Sequence, residues 1–185
     1  MDTKRLEHAV QEILEAVGDK SAICTETPPR AARGLAEMLD GYEVDLDSLF
    51  VTEDGYGKDQ LVLVKNISFT SVCRHHLLVF FGQIHIGYLP HDRVIGISKL
   101  GRIGLAFAHR LQLQEKMTEE IAECIMSRLG PRGVAVVVEA KHSCMQCRGV
   151  RLPNSETVTS AMLGDFRNNP SLRQEFLTLL SVDTN

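Results

Sequence analysis

The chain has 185 residues, 44% of them hydrophobic, with 24 acidic against 20 basic side chains and a formal net charge of −4. That size suits one domain with a real core, and the mild acidity argues against a general binder of nucleic acid or of a membrane surface. No stretch reaches membrane-spanning length, "MDTKRLEHAVQEIL" has no continuous apolar segment of a secretory signal, and five irregularly spaced cysteines suit a reducing compartment. A cytoplasmic location is therefore expected.

Leu6, Val10, Ile13, Leu14 and Val17 recur at helical spacing over residues 4 to 17, and Gly18 offers a C-terminal stop. A second helix is expected from Thr27 as cap and Pro28 at a first helical position, with Leu35, Met38 and Leu39 on one face and an end at Gly41. Residues 42 to 60 are acidic, lack a period and read as a surface loop. "LVLVKNISF", "FFGQIHIGYLP" and the short "RVIGISK" then read as strands. Helical spacing returns from Lys99 to Arg110 and from Thr118 to Leu129, which reads as one long bent segment. "GVAVVVEAKHSC" is a β-branched strand, "RGVRLPNSETVTSAML" a further extended pair, and "NNPSLRQEFLTLL" a closing helix capped at Asn169 with Pro170 at its start. This order predicts an α+β fold: an N-terminal helical pair, then an antiparallel sheet with helices on one face.

The chemistry concentrates in two places. "SVCRHHLLVF" puts Cys73, Arg74, His75 and His76 side by side, and a turn or bulge can aim Cys73 and His76 at one ion where a regular strand would part them. That spacing predicts irregular backbone at Cys73. In "KHSCMQC", His142 and Cys144 lie two apart at a strand end, which predicts that they share one face of an extended strand. Two thiolates and one imidazole leave a fourth tetrahedral position open, the pattern of catalytic zinc. The plainer reading is that the cysteines are packing residues and His75 or His76 a satisfied polar group of the core.

Cations stand nearby in the sequence. "SKLGR" places Ser98, Lys99 and Arg102 at a helix start, which can bind phosphate or simply be a solvated face. Arg148 can add a bidentate phosphate contact or be a surface residue. Glu115, beside Gln114, can accept two hydrogen bonds from a guanine N–H edge or cap an exposed helix. Residues and spacing alone thus give a metal hydrolase with an anion-binding helix start.

"CRHHLLVFFGQIHIGYLP", "VIGISKLGRI", "RLQLQEKMT", "EAKHSCMQCRGV" and "TVTSAMLGDF" resemble GTP cyclohydrolase I in order and spacing, and "TPPRAA" resembles that family's T-P-x-R helix start. Nearly the whole chain is covered. The resemblance implies a tunnelling fold (T-fold), with residues 1–60 as a helical region and loop and residues 61–185 as the catalytic domain. It also implies that subunits close into a β-barrel ring, a homodecamer with active sites at subunit interfaces. The implied reaction is hydrolysis of GTP at C8, release of formate and rearrangement to 7,8-dihydroneopterin triphosphate, the first step of pterin synthesis, with Zn2+ as cofactor.

Carried over by position, Cys73, His76 and Cys144 resemble the zinc ligands, and His75 and His142 the acid–base histidines, with His142 the candidate acid. Ser98, Lys99, Arg102 and Arg148 resemble positions that contact ribose or triphosphate. Arg30 resembles a phosphate-binding arginine, and Gln114 with Glu115 the guanine-reading corner. One departure stands out: the family usually has glutamate where this chain has Arg74. It leaves open a divergent paralogue that stops at a ring-opened formamidopyrimidine or takes another purine nucleotide, and a non-catalytic nucleotide-binding subunit. Cys24, Cys124 and Cys147 receive no role.

Overall fold

The computed structural model describes residues 1–18, 25–54 and 59–182; Cys24 lies outside them. The first helix, α1 (Thr3–Val17), ends where Gly18 turns left-handed at φ 74°. The second, α2 (Thr27–Met38), begins one residue earlier than expected: Glu26 takes the cap position, and Pro28 falls in the first turn, where its missing N–H costs nothing. The two helices pack on each other, and none of the α1 side chains is fully buried.

The expected loop beyond Gly41 is only partly a loop. Two single 3-10 turns (Asp40–Tyr42, Asp47–Leu49) lead to β1 (Thr52–Asp54), which pairs antiparallel with β4 (Arg93–Ile95). The main sheet uses β2 (Val62–Cys73), β3 (Val79–Leu89), β6 (Gly133–His142), β7 (Thr157–Gly164) and the two-residue β5 (Leu111–Gln112), in the order β5-β2-β3-β6-β7. All neighbours run antiparallel except β5, which lies parallel to the end of β2, so the sheet is mixed rather than antiparallel.

That short strand also corrects the bent helix. α3 (Ile97–Ala108) and α4 (Gln114–Leu129) are separate, and α4 starts four residues before the expected Thr118. In "LQLQ" the apolar residues alternate at period two, which extends the chain and buries Gln112, whose amide donates to Phe107 O and Glu120 Oε2.

Helices on one face was also an incomplete expectation. α3 and α4 cover the face carrying Ile84, Ile86, Val134, Val136 and Val138. On the other face, α6 (Asp165–Asn168) and α7 (Pro170–Ser181) set Phe166, Leu172 and Phe176 against Ala135, Val137 and Leu89. The unbroken run Val134–Val138 is buried on both sides, which is what a continuous apolar strand, unlike an alternating one, signals. As expected, Asn169 caps α7, its side chain accepting from the N–H groups of Ser171 and Leu172.

Between Gly149 and Glu156 the expected extended pair is a turn-rich loop, with Gly149 and Arg151 both at positive φ. Centrally, Gly82 lies so close to β6 that a Cβ would stand 1.8 Å from Glu139 O. Gly82→Ala should therefore lower stability by about 2–3 kcal/mol, read from the urea midpoint.

Candidate active site

Both chemistry-bearing segments lie at one end of the sheet, where β2, β3 and β6 run out of ladder. Cys73 is the last residue of β2; Cys73 N–H donates to Leu78 O at 2.8 Å, and Cys73 O accepts from Leu77 N–H at 2.8 Å. This tight turn, with Leu77 at φ 55°, brings His76 back over Cys73, so the expected irregularity begins one residue later than predicted. Cys73 Sγ lies 3.9 Å from His76 Nδ1.

β6 ends at His142, paired with Phe80 near the start of β3. It does not continue as a strand to Cys144. With the ladder exhausted, the chain coils into the one-turn helix α5 (Ser143–Gln146), and this helix delivers the thiol. The ligand atoms of Cys73, His76 and Cys144 all lie within 4.8 Å of one another. A tetrahedral site with bonds of about 2.0–2.3 Å needs separations of roughly 3.5–3.8 Å, so small side-chain movements close the set.

The donor chemistry fits a soft or borderline dication. Burial pushes the Cys144 thiol pKa up, and the adjoining Cys73 thiol pushes it further, because two neighbouring thiolates repel; Arg148 pulls weakly the other way. A cation between the sulfurs would offset that repulsion and favour both thiolates.

A cavity of about 250 Å³ opens beside the cluster, lined by His75, His142, Gln114, Glu115, Gln112 and Thr157 as well as the three ligand candidates. β5 is what brings Gln114 and Glu115 here, since Cys73 pairs with Gln112 just before α4 begins. His142 stacks flat on buried Phe80, with ring centroids 4.5 Å apart and planes 5° from parallel. Burial lowers its pKa, and the Glu115 carboxylate only partly opposes that, so the resting ring is neutral near pH 7. Its Nε2 is 2.7 Å from Gln114 Oε1.

Gln114 lines the cavity beside Glu115. Its side chain is buried, and the two hydrogens of its Nε2 are shared among Val138 O, Thr157 O and Thr159 Oγ1 while its Oε1 faces His142, so both ends of the amide are already engaged. Glu115 is exposed at the start of α4 and free to face a ligand from the cavity wall.

The expected phosphate-binding residues are not brought to this cavity within one chain. Ser98, Lys99 and Arg102 lie on the opening turns of α3, and Arg102 lines a different hollow with Asp40 and His109. Arg30 pairs with Glu26 on exposed α2. Arg148, just beyond α5, is exposed but close enough to act on Cys144. Arg74 is exposed, and its backbone N–H donates to Gln112 O. Among the other cysteines, Cys124 is buried beside Arg128 and Cys147 is exposed, its thiol donating to Ser143 O. Sequence reasoning missed Thr159, whose hydroxyl lies 3.2 Å from Gln114 Nε2; its signal was the alternation that places Thr157 and Thr159 on one face of β7.

Comparison with known proteins agrees with this geometry. A model of the family GTP cyclohydrolase I matches residues 6–181. GTP cyclohydrolase 1 of Rhodopirellula baltica is 48% identical over 184 residues, covering 98% of this chain and 80% of that one. The protein of the same name from Alkalilimnicola ehrlichii is 44% identical, covering 96% and 98%. Among solved structures, the archaeosine synthase QueF-Like in the apo form has 21% identity and a TM-score of 0.46 over 56% of this chain and 93% of its own, too slight a likeness to add to the fold described above. The family match spans both chemistry-bearing segments and nearly everything between the termini, and the chain belongs to the GTP cyclohydrolase I family.

Proposed function

We propose that this chain converts GTP to 7,8-dihydroneopterin triphosphate and formate with Cys73, His76 and Cys144 holding a zinc ion and with His75 and His142 moving the protons. The observation that carries this assignment is the convergence of two thiols and one imidazole, distant in sequence, beside a cavity that two further histidines line. Bound there, zinc supplies a Lewis acid that makes water nucleophilic near neutral pH.

The chain's own groups do the rest. Glu115 accepts hydrogen bonds from the guanine N–H edge and turns C8 toward the cysteines. His142, neutral at rest and tied at Nε2, takes a proton at Nδ1 and then returns it to a ring nitrogen; because burial depresses its pKa, the protonated ring is a strong donor. His75, on the turn beside His76, serves the second hydrolysis that frees formate.

The cavity volume falls below the usual ~300–1,000 Å³ of a small-molecule site, so it suits the base and leaves the triphosphate outside. Among the described residues, no lysine or arginine lines it. A polyanion needs cations, and this supports an assembled enzyme in which Ser98, Lys99, Arg102 and Arg30 of a neighbouring copy, with Arg148, complete the site. A ring of T-fold subunits, decameric and closed through sheet edges, would supply that neighbour, with residues 1–60 as the helical region and 61–185 as the catalytic part. The free edge of β7 suits such pairing.

The test is product identity: purified protein, zinc and GTP, with the products oxidised to a fluorescent pterin and formate counted. One formate per neopterin supports the assignment, whereas a formamidopyrimidine that accumulates, or GTP bound without turnover, contradicts it. Arg74 is a separate question. Because it is exposed on the turn, Arg74→Glu should change kcat and KM by no more than about threefold, the scale of a solvated charge, in steady-state assays of the two proteins.

A further inference from the structure

We propose that Thr118 and Thr159 are positioning residues that, through Gln114, fix which ring nitrogen of His142 carries the proton. The inference rests on the assignment of His142 to proton transfer. Its starting point is a partly buried chain of hydrogen bonds whose donors and acceptors constrain one another.

Thr118 Oγ1 lies 2.8 Å from Gln114 O, a carbonyl that can only accept, so the Thr118 hydroxyl donates there. Its single hydrogen is then used. Thr159 Oγ1, 2.7 Å away, must therefore donate to Thr118 Oγ1, which leaves the Thr159 oxygen as an acceptor for Gln114 Nε2 at 3.2 Å. Gln114 Nε2 has two hydrogens for three acceptors, and it shares them among Thr159 Oγ1 and the carbonyls of Val138 at 3.0 Å and Thr157 at 2.9 Å. A flipped amide would set its oxygen against those two carbonyls and against a committed hydroxyl.

Gln114 Oε1 thus has to face His142, and at 2.7 Å it can only accept from Nε2–H. Nδ1 is left as the nitrogen that exchanges protons with substrate. Phe80, stacked on the ring, resists the flip that would interchange the two nitrogens. Thr118 and Gln114 are each 1% exposed, so water has little access to their ends of these bonds, while Thr159 and His142 are half-buried.

The test compares Thr159→Val, which keeps the shape and removes the hydroxyl, with Thr159→Ser, which keeps the hydroxyl. In the zinc-loaded protein, Thr159→Val should lower kcat roughly 10–100-fold, the usual effect of losing an orienting partner, while Thr159→Ser stays near wild type. KM for GTP and zinc content should hold in both. Thr118→Val and Thr118→Ser give the same comparison from α4 if the first valine variant does not fold.

Nitrogen-15 spectra of histidine-labelled protein, with His142 assigned by its loss in His142→Asn, supply a readout independent of turnover. Wild type should show the Nε2–H form and Thr159→Val a mixture. An Nδ1–H form in wild type, unchanged kcat in Thr159→Val, or a loss that Thr159→Ser fails to restore would each overturn the proposal. A wild-type protein that shows the Nε2–H form but turns over no GTP would instead refute the assigned reaction and leave this network standing.

Discussion

Cys144→Ser is expected to lower GTP turnover on the order of 10³-fold or more, since a catalytic metal supplies several kcal/mol and each ~1.4 kcal/mol is tenfold. Serine keeps the size and removes the soft donor. Its hydroxyl does not ionise near neutral pH, so two protein ligands would remain where three are needed. Metal analysis after gel filtration should show zinc lost in parallel with activity. The fold should survive, because Cys144 is only partly buried and α5 is held by other bonds, such as Leu152 N–H to Met145 O at 2.9 Å. A melting temperature near wild type with an empty metal site is the expected pair of observations. Activity retained without metal would refute the ligand assignment.

His142→Ala separates chemistry from binding. Removing a positioned acid–base group costs typically about 10²–10⁴-fold, so kcat should fall in that range while GTP binding, measured by calorimetry, stays detectable. The pH dependence carries a sign. Burial lowers the folded pKa of His142 below its ordinary 6.5, with Glu115 partly opposing, so the neutral ring needed to take the first proton persists below pH 6.5. The acid limb of the wild-type pH–rate profile that belongs to this group should accordingly fall below 6.5, and it should vanish in His142→Ala. A limb above 6.5 that persists in the variant would assign the profile to another group, with His75 next in line.

Much of this arrangement was legible in the residues. Gly18, Pro28 and Asn169 marked helix ends because each acts locally, through φ or a side-chain cap, and the structure agrees with all three to within a residue. Cys73, His76, His142 and Cys144 were legible as two metal-capable clusters because metal chemistry restricts side-chain types, and the resemblance to the GTP cyclohydrolase I family narrowed them to Cys73, His76 and Cys144. What failed was set by partners rather than by local sequence. β5 exists because it finds the end of β2, and two residues have no periodicity to detect. β6 stops at His142 because β3 begins opposite it and offers no further partner, so Cys144 arrives on a helical turn and not along a strand face. The second covered face was overlooked, although the unbroken apolar run Val134–Val138 is the pattern of a strand buried on both sides. The orientation of Gln114 was hidden altogether, since three of its partners lie on β6 and β7, 24 to 45 positions away.

Zinc X-ray absorption on the protein as purified tests the central claim most directly. One zinc per chain is expected, with two sulfurs at ~2.3 Å, one nitrogen at ~2.0–2.1 Å and a single light scatterer in the remaining position. A spectrum with fewer than two sulfurs, or with all four positions taken by side chains, would contradict it.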